Sequence, residues 1–269
     1  MSPAYVRRRR AQDAWARDLT PPHPLWLMAE GRGFLELGLF FATRPLLKAR
    51  LPHGEGQPVL VLPGLGASDM STAPMRGLMR ELNYAAHPWK LGRNMGLRSG
   101  LVAAMKARID ELHARYGGRK VTLVGWSLGG TFARELAKMC PEKIRQVITL
   151  GSPFSRAAGS SNAKRVYEWA SGEKAERHDL FEGLPTPPPV PTTSIYSRTD
   201  GIVAWQASRN APGAEVENIE VPGSHIGLGH NPLALYALFD RMAQKEGAWT
   251  PFTRHSGRRR IFFRDPERG

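Results

Sequence analysis

From residue 57 onward, short apolar runs alternate with stretches of helical spacing. Residues 59–62, VLVL, are apolar throughout and stop at Pro63-Gly64, which predicts a buried strand. Residues 71–82 carry helical spacing, and 84–88 predict a second strand. A long helix is expected over 97–116, stopped by Gly117-Gly118. The rhythm then repeats with a strand at 120–124, a helix at 128–139 ended by Pro141, and a strand at 144–150. Further strands are expected at 193–196 and 216–221, and a last helix at 232–245. Strands alternating with helices imply a mostly parallel sheet covered on both faces, an α/β architecture.

Two stretches break this rhythm. Residues 152–191 separate two strands, carry one helical stretch at 163–170, and leave through a proline-rich exit. An insertion of that length in a compact domain reads as a lid or cap. Residues 24–50 read as one or two helices with large apolar side chains, among them Leu25, Trp26, Phe34, Leu39 and Phe41. Glu30, Arg32, Glu36 and Arg44 interrupt them, too many charges for a bilayer span. The segment is therefore a helix packed on the domain or an interfacial anchor with its apolar face down. The resulting layout is a basic lead (1–23), an apolar helical segment (24–50), an α/β domain (51–246, with the insertion at 152–191) and a basic tail (247–269).

The chain has 269 residues, of which 41% are hydrophobic and 23% charged, as in an ordinary soluble globular protein. Its net charge of +14 is unusual and unevenly placed. The first 50 residues contribute +5 and the last 25 contribute +4, with dense runs at Arg7–Arg10 and Arg258–Arg260. Such ends are either solvated tails or a means of peripheral contact with anionic lipid headgroups. No basic patch interleaved with aromatics lies inside the domain, which disfavours nucleic acid as a partner. Cys140 is the sole cysteine, so no internal disulfide forms, which fits a reducing compartment. Two Asp and the run PPHP separate the N-terminal arginines from any apolar stretch, which argues against a secretory leader. A cytoplasmic location is expected, with the basic ends available to the inner face of a membrane.

The densest chemistry lies in VTLVGWSLGG, residues 121–130. A strand running into Gly125-Trp126-Ser127-Leu128-Gly129 and then a helix forms a very tight turn. It exposes the Ser127 hydroxyl at the carboxyl end of the sheet, beside a helix N-terminus that favours negative charge. Glycines at 125 and 129 fit where strand and helix leave no room for Cβ. A serine hydroxyl needs a base, and the base an orienting acid. Asp200 in SRTDG and His225 in PGSH each follow an expected strand, so both emerge at the same sheet edge as Ser127. His230 competes with His225, but its place before Asn231-Pro232 suits a structural or capping role. Asp69, in the first loop, and Asp179, in the insertion, compete with Asp200. An oxyanion needs at least two N–H donors. Leu128, after the serine, supplies one, and Leu65, in Pro63-Gly64-Leu65-Gly66, the other.

With VLVLPGLGASD, VGWSLGG, YSRTDGIV and PGSHIGLGHNP, the sequence from about 57 to 245 resembles the α/β-hydrolases. Within them it is most similar to bacterial lipase- and esterase-like proteins, including relatives of triacylglycerol lipases and inositol deacylases. The resemblance implies hydrolysis of carboxylic esters through an acyl-serine intermediate, with neither metal nor organic cofactor. Many lipases carry His-Gly in the first loop where this chain has Pro63-Gly64. The first 50 residues and the arginine-rich tail match no part of the family pattern. Trp126, with Phe154, Val166, Trp169 and Phe181 from the insertion, is expected at an apolar acyl pocket, which points to a lipid or acyl ester. Two alternatives stay open: acyl transfer to an alcohol on the same residues, or a catalytically idle scaffold that docks on membrane lipid.

Overall fold

The computed structural model describes residues 22–155, 184–252 and 259–263. Six strands form one parallel sheet: β1 (Pro58–Leu62), β2 (Ala85–Pro88), β3 (Val121–Trp126), β4 (Ile144–Leu150), β5 (Thr192–Tyr196) and β6 (Val216–Glu220). Their spatial order is β2-β1-β3-β4-β5-β6. The chain therefore leaves β1 toward one edge and returns to place β3 on β1's other side. The crevice between the carboxyl ends of β1 and β3 is the reversal point where ligands bind in sheets of this kind.

Strand alternation divides the core into two layers. Val59 and Val61 of β1 face one side with Val124, Ile148, Ile195 and Ile219. Leu60 and Leu62 face the other with Leu123 and Val147. The first layer is covered by α2 (Gly33–Arg50), α3 (Ala73–Glu81) and α6 (Pro232–Met242), through Phe40, Leu78 and Phe239 among others. The second is covered by α4 (Leu101–Arg115) and α5 (Leu128–Met139), through Ile109 and Phe132.

The differences from expectation have local causes. Helix α4 begins at Leu101, not residue 97, because Gly100 precedes it at φ 76°, outside helical geometry. Helix α3 begins at Ala73, with a proline in its first turn. Strand β3 runs on to Trp126 and carries its hydrogen bonding to the foot of the serine turn. A four-residue 3₁₀ turn, Trp205–Ser208, gave no periodic signal in the sequence. Residues 247–269 are not all tail. Phe252 and Phe263 are buried, and the short α7 (Arg259–Phe262) brings Arg259 to Asp240 at 2.7 Å. The helix expected at 163–170 lies outside the described residues.

The 24–50 segment folds as α1 (Pro24–Met28), a 3₁₀ turn (Ala29–Arg32) and α2. Gly33, Phe40 and Leu47, seven residues apart, are the buried positions of α2. Of the two readings, packing on the domain describes this inner stripe; the outer face stays exposed. No helix among the described residues is long and apolar enough to cross a membrane.

Candidate active site

Ser127 sits between β3 and α5 at φ 52°, ψ −125°, a conformation costly for any residue with a Cβ. Three neighbouring glycines make this turn possible. A Cβ on Gly125 would strike the backbone of Gly129 and Gly130, and one on Gly129 would strike the Leu62 carbonyl. Gly130, which the sequence did not single out, has the side chain of Ser152 where its Cβ would be.

Asp200 follows β5 and His225 follows β6. The Ser127 Oγ lies 2.9 Å from His225 Nε2, and His225 Nδ1 lies 2.6 Å from Asp200 Oδ2. Pairing with a carboxylate puts the ring proton on Nδ1, so Nε2 is free to accept from the serine hydroxyl. The other carboxylate oxygen of Asp200 accepts the N–H groups of Ile202 (2.8 Å) and Val203 (2.7 Å), which fixes the acid. Burial works against the charged imidazole, but the Asp200 carboxylate, with Glu30 behind it, outweighs this and raises the His225 pKa.

One strand separates the serine from the acid in the sheet, so the His225–Asp200 pair lies across the end of β4. Gly151 makes room there, at φ 55°. A Cβ on it would come 3.1 Å from His225 Nδ1 and 3.2 Å from Asp200 Oδ2.

The loop that carries Leu65, one of the two expected oxyanion donors, approaches the serine. A Cβ on Gly64 would come 3.2 Å from the Ser127 Cβ, so the loop after β1 passes directly over the serine. Gly66 N–H donates to the Asn94 carbonyl at 2.6 Å, and the Asn94 side chain donates to the Pro63 carbonyl at 2.8 Å. These bonds hold the loop from both sides of Leu65. Leu128 opens α5, where the first N–H groups have no partner within the helix.

The rival residues have other occupations. Asp69 accepts the N–H groups of Trp89 (3.0 Å) and Lys90 (3.1 Å) and so shapes the loop after β2. His230 is buried edge-on against Trp126 and Phe40, and burial lowers its pKa. Capping of α6 falls to Asn231, whose side chain accepts from Leu233 and Ala234. Asp179, Val166, Trp169 and Phe181 lie outside the described residues.

Trp126 and Phe154, expected at an acyl pocket, make firm contacts with protein. Trp126 is buried beneath the base loop, donating from its indole N–H to the His225 carbonyl at 3.1 Å. Phe154 is fully buried, with the Arg134 guanidinium 3.7 Å above its ring.

What holds the acid and base loops together was not expected from the sequence. The Glu30 carboxylate is buried against both. One oxygen accepts Gly201 N–H (2.8 Å) and His225 N–H (3.0 Å); the other accepts Ile226 N–H (2.9 Å). Arg32 donates to the carbonyls of Thr199 (2.6 Å) and Gly223 (3.0 Å), one from each loop. Glu36 accepts Ser224 N–H at 2.8 Å, and burial raises its pKa. The only signal in the sequence was charge where an apolar segment should have none. Among the described residues no cluster of His, Cys, Asp and Glu could hold a metal ion.

The family model for the alpha/beta hydrolase fold matches residues 57–176. The metagenome-derived lipolytic enzymes LipS and LipT give a solved structure similar to this chain, at TM-score 0.53 and 17% identity, covering 71% of this chain and 95% of that one. A non-heme bromoperoxidase, BpoC of Mycobacterium tuberculosis H37Rv, matches at TM-score 0.50 and 16% identity, covering 71% and 92%. No curated protein sequence matches at a significant level. Strand order, the turn at Ser127, the family model and the structural neighbours agree that this chain is an α/β-hydrolase-fold protein.

Proposed function

We propose that the protein hydrolyses carboxylic esters by nucleophilic attack of Ser127. The observation that carries this reading is the continuous contact from Ser127 Oγ through His225 to Asp200, at 2.9 and 2.6 Å, on a strained turn at the carboxyl edge of the sheet. His225 Nε2 takes the hydroxyl proton as Ser127 attacks the ester carbonyl. Asp200 keeps the imidazole oriented and stabilises its positive form. The N–H groups of Leu65 and Leu128 donate to the oxyanion. His225 then protonates the leaving alcohol, and the acyl-serine forms. In the second half, His225 takes a proton from water, the resulting hydroxide attacks the acyl carbon, and the carboxylic acid leaves as Ser127 recovers its proton.

The substrate is an acyl ester with an apolar chain. Ile226, next to the base, is half exposed, which favours an apolar group near the reacting carbonyl.

Labelling by a fluorophosphonate, followed by turnover of p-nitrophenyl esters of increasing chain length, tests the proposal. Wild type is expected to label and Ser127→Ala to remain unlabelled while folded. Folded wild type that neither labels nor turns over any ester would refute the reading.

A further inference from the structure

The segment 24–50 has two unlike faces. Inward, it turns both of its acidic residues to the domain: Glu30 to the acid and base loops, Glu36 to Ser224 and Arg32. Arg44 turns in as well, to Glu81 at 2.9 Å. Outward, apolar side chains dominate. Met28 is 82% exposed, and Phe34 and Leu35 are 76% exposed each; Leu25, Leu39, Phe41 and Leu46 are exposed with them. From Gly33 to Leu47 the exposed positions of α2 carry no charged side chain; Lys48 and Arg50 follow at its end, both exposed. A surface helix ordinarily puts polar residues on this side. A contiguous apolar face of this size marks something that covers it.

We propose that this face docks on an anionic lipid bilayer. Two observations select that occupant. No helix among the described residues is long and apolar enough to cross a membrane, so the contact proposed is with the bilayer surface. The chain carries +14, with +5 in its first 50 residues, and the outward charges of α2 are positive. An anionic surface is complementary to that charge, whereas a second copy of the chain repels it. Finally, the segment that carries this face adjoins the candidate site. A Cβ on Gly33 would touch the Ile226 side chain at 3.1 Å, and Ile226 adjoins His225 and is 45% exposed. At the other end, Gly201, next to Asp200, lies directly against the backbone of Trp26 and Leu27.

Glu30, Arg32 and Glu36 pin the segment to those loops, so the platform is fixed. Docking through it brings the Ser127 site to the lipid surface and lets an acyl ester enter from the bilayer. This consequence rests on the ester-hydrolase reading; the docking itself does not.

Flotation of the full chain with phosphatidylcholine vesicles, with and without phosphatidylglycerol, tests the docking. Binding is expected at least about tenfold tighter to the anionic vesicles and weaker as salt is added. Phe34→Glu/Leu39→Glu changes two outward side chains. It is expected to weaken vesicle binding at least about tenfold while hydrolysis of a short soluble ester stays within about twofold. Ser127→Ala is expected to bind vesicles like wild type. Wild type that does not float, or a double variant that floats unchanged, would overturn the proposal. So would light scattering that shows a wild-type dimer, converted to monomer by the double variant with flotation unaltered, since the face would then join two copies. Vesicle binding without any esterase activity would refute the catalytic reading and leave the docking standing.

Discussion

Glu30 and His225 are 195 residues apart in sequence, yet the Glu30 carboxylate accepts the backbone N–H of His225 at 3.0 Å. The same oxygen accepts the N–H of Gly201, beside Asp200. One side chain thus ties the loop of the acid to the loop of the base. Glu30→Ala removes three acceptor contacts at once and frees both loops. Misplacement of a reacting group by about 1 Å costs about 100-fold in rate. We expect a kcat loss of about that size on a soluble ester, with KM changed much less. Glu30→Gln keeps the shape and one acceptor oxygen, so part of the loss, about tenfold, should be recovered. Steady-state kinetics on the two variants decide it; a Glu30→Ala enzyme with wild-type kcat would show that this tie is irrelevant to the site, and equal losses in both variants would show that one acceptor oxygen does not hold the loops.

The charge of Glu30 has a separate readout. A base works only when neutral, so kcat/KM should rise with pH through the His225 pKa. That pKa is raised, against burial, by Asp200 and then Glu30, so the rise should centre above the ordinary imidazole value of about 6.5. In Glu30→Gln and Asp200→Asn the opposing charge is reduced and burial gains weight, so the rise moves to lower pH. The stability sign follows from the same shift. A folded-state pKa above the unfolded one stabilises the fold fully below about pH 6.5, and the contribution fades as pH rises through the folded value. A pH–rate profile that is unmoved in Asp200→Asn would contradict this assignment.

How far the sequence disclosed this depends on the range of the interaction. The sheet was legible because each strand is a short apolar run and each helix a periodic stretch, both local signals. Ser127, Asp200 and His225 could be located because each follows a strand, and parallel strands bring such positions to one edge. Glu30 could not be, because its partners lie 171 to 196 residues away and only the folded chain brings them together. In the sequence it merely weakened the case for a membrane span. The burial of Phe252 and Phe263 was hidden for a similar reason: isolated aromatics in a basic stretch have no period.

Gly151 gives a test in which backbone strain and site geometry separate. Its φ of 55° strains any residue with a Cβ, at about 1–2 kcal/mol. A Cβ would also press on His225 Nδ1 at 3.1 Å and on Leu228 at 2.8 Å. Gly117, at the end of α4, has φ 63° with nothing within 4 Å of a Cβ. Gly117→Ala should therefore lose about 1 kcal/mol of stability and no activity. Gly151→Ala should lose more stability and at least about tenfold in kcat, because it displaces the acid–base pair. Urea midpoints and kinetics measured side by side check both. Full activity in Gly151→Ala would show that the pair does not depend on this clearance.

Arg134 makes the last prediction, about the insertion. Its guanidinium is fully buried in α5, where burial lowers its pKa to about 9 and it stays charged at neutral pH. It donates to Asn210 Oδ1 at 2.6 Å and to the carbonyls of Leu184 and Thr186 at 3.3 Å, and lies on the Phe154 ring. Phe154 enters the insertion and Leu184 leaves it, so one side chain holds both ends. Arg134→Ala strands two buried acceptors and a part-buried one and uncovers the ring, at about 4 kcal/mol in all. Arg134→Lys keeps the charge, but a single ammonium cannot span acceptors on separate segments, so an intermediate loss is expected. Both should raise the rate of proteolytic cleavage between residues 155 and 184 above that of wild type, with alanine the greater. Alanine that unfolds at the wild-type urea midpoint, with an unchanged cleavage rate, would show that Arg134 does not hold the insertion in place.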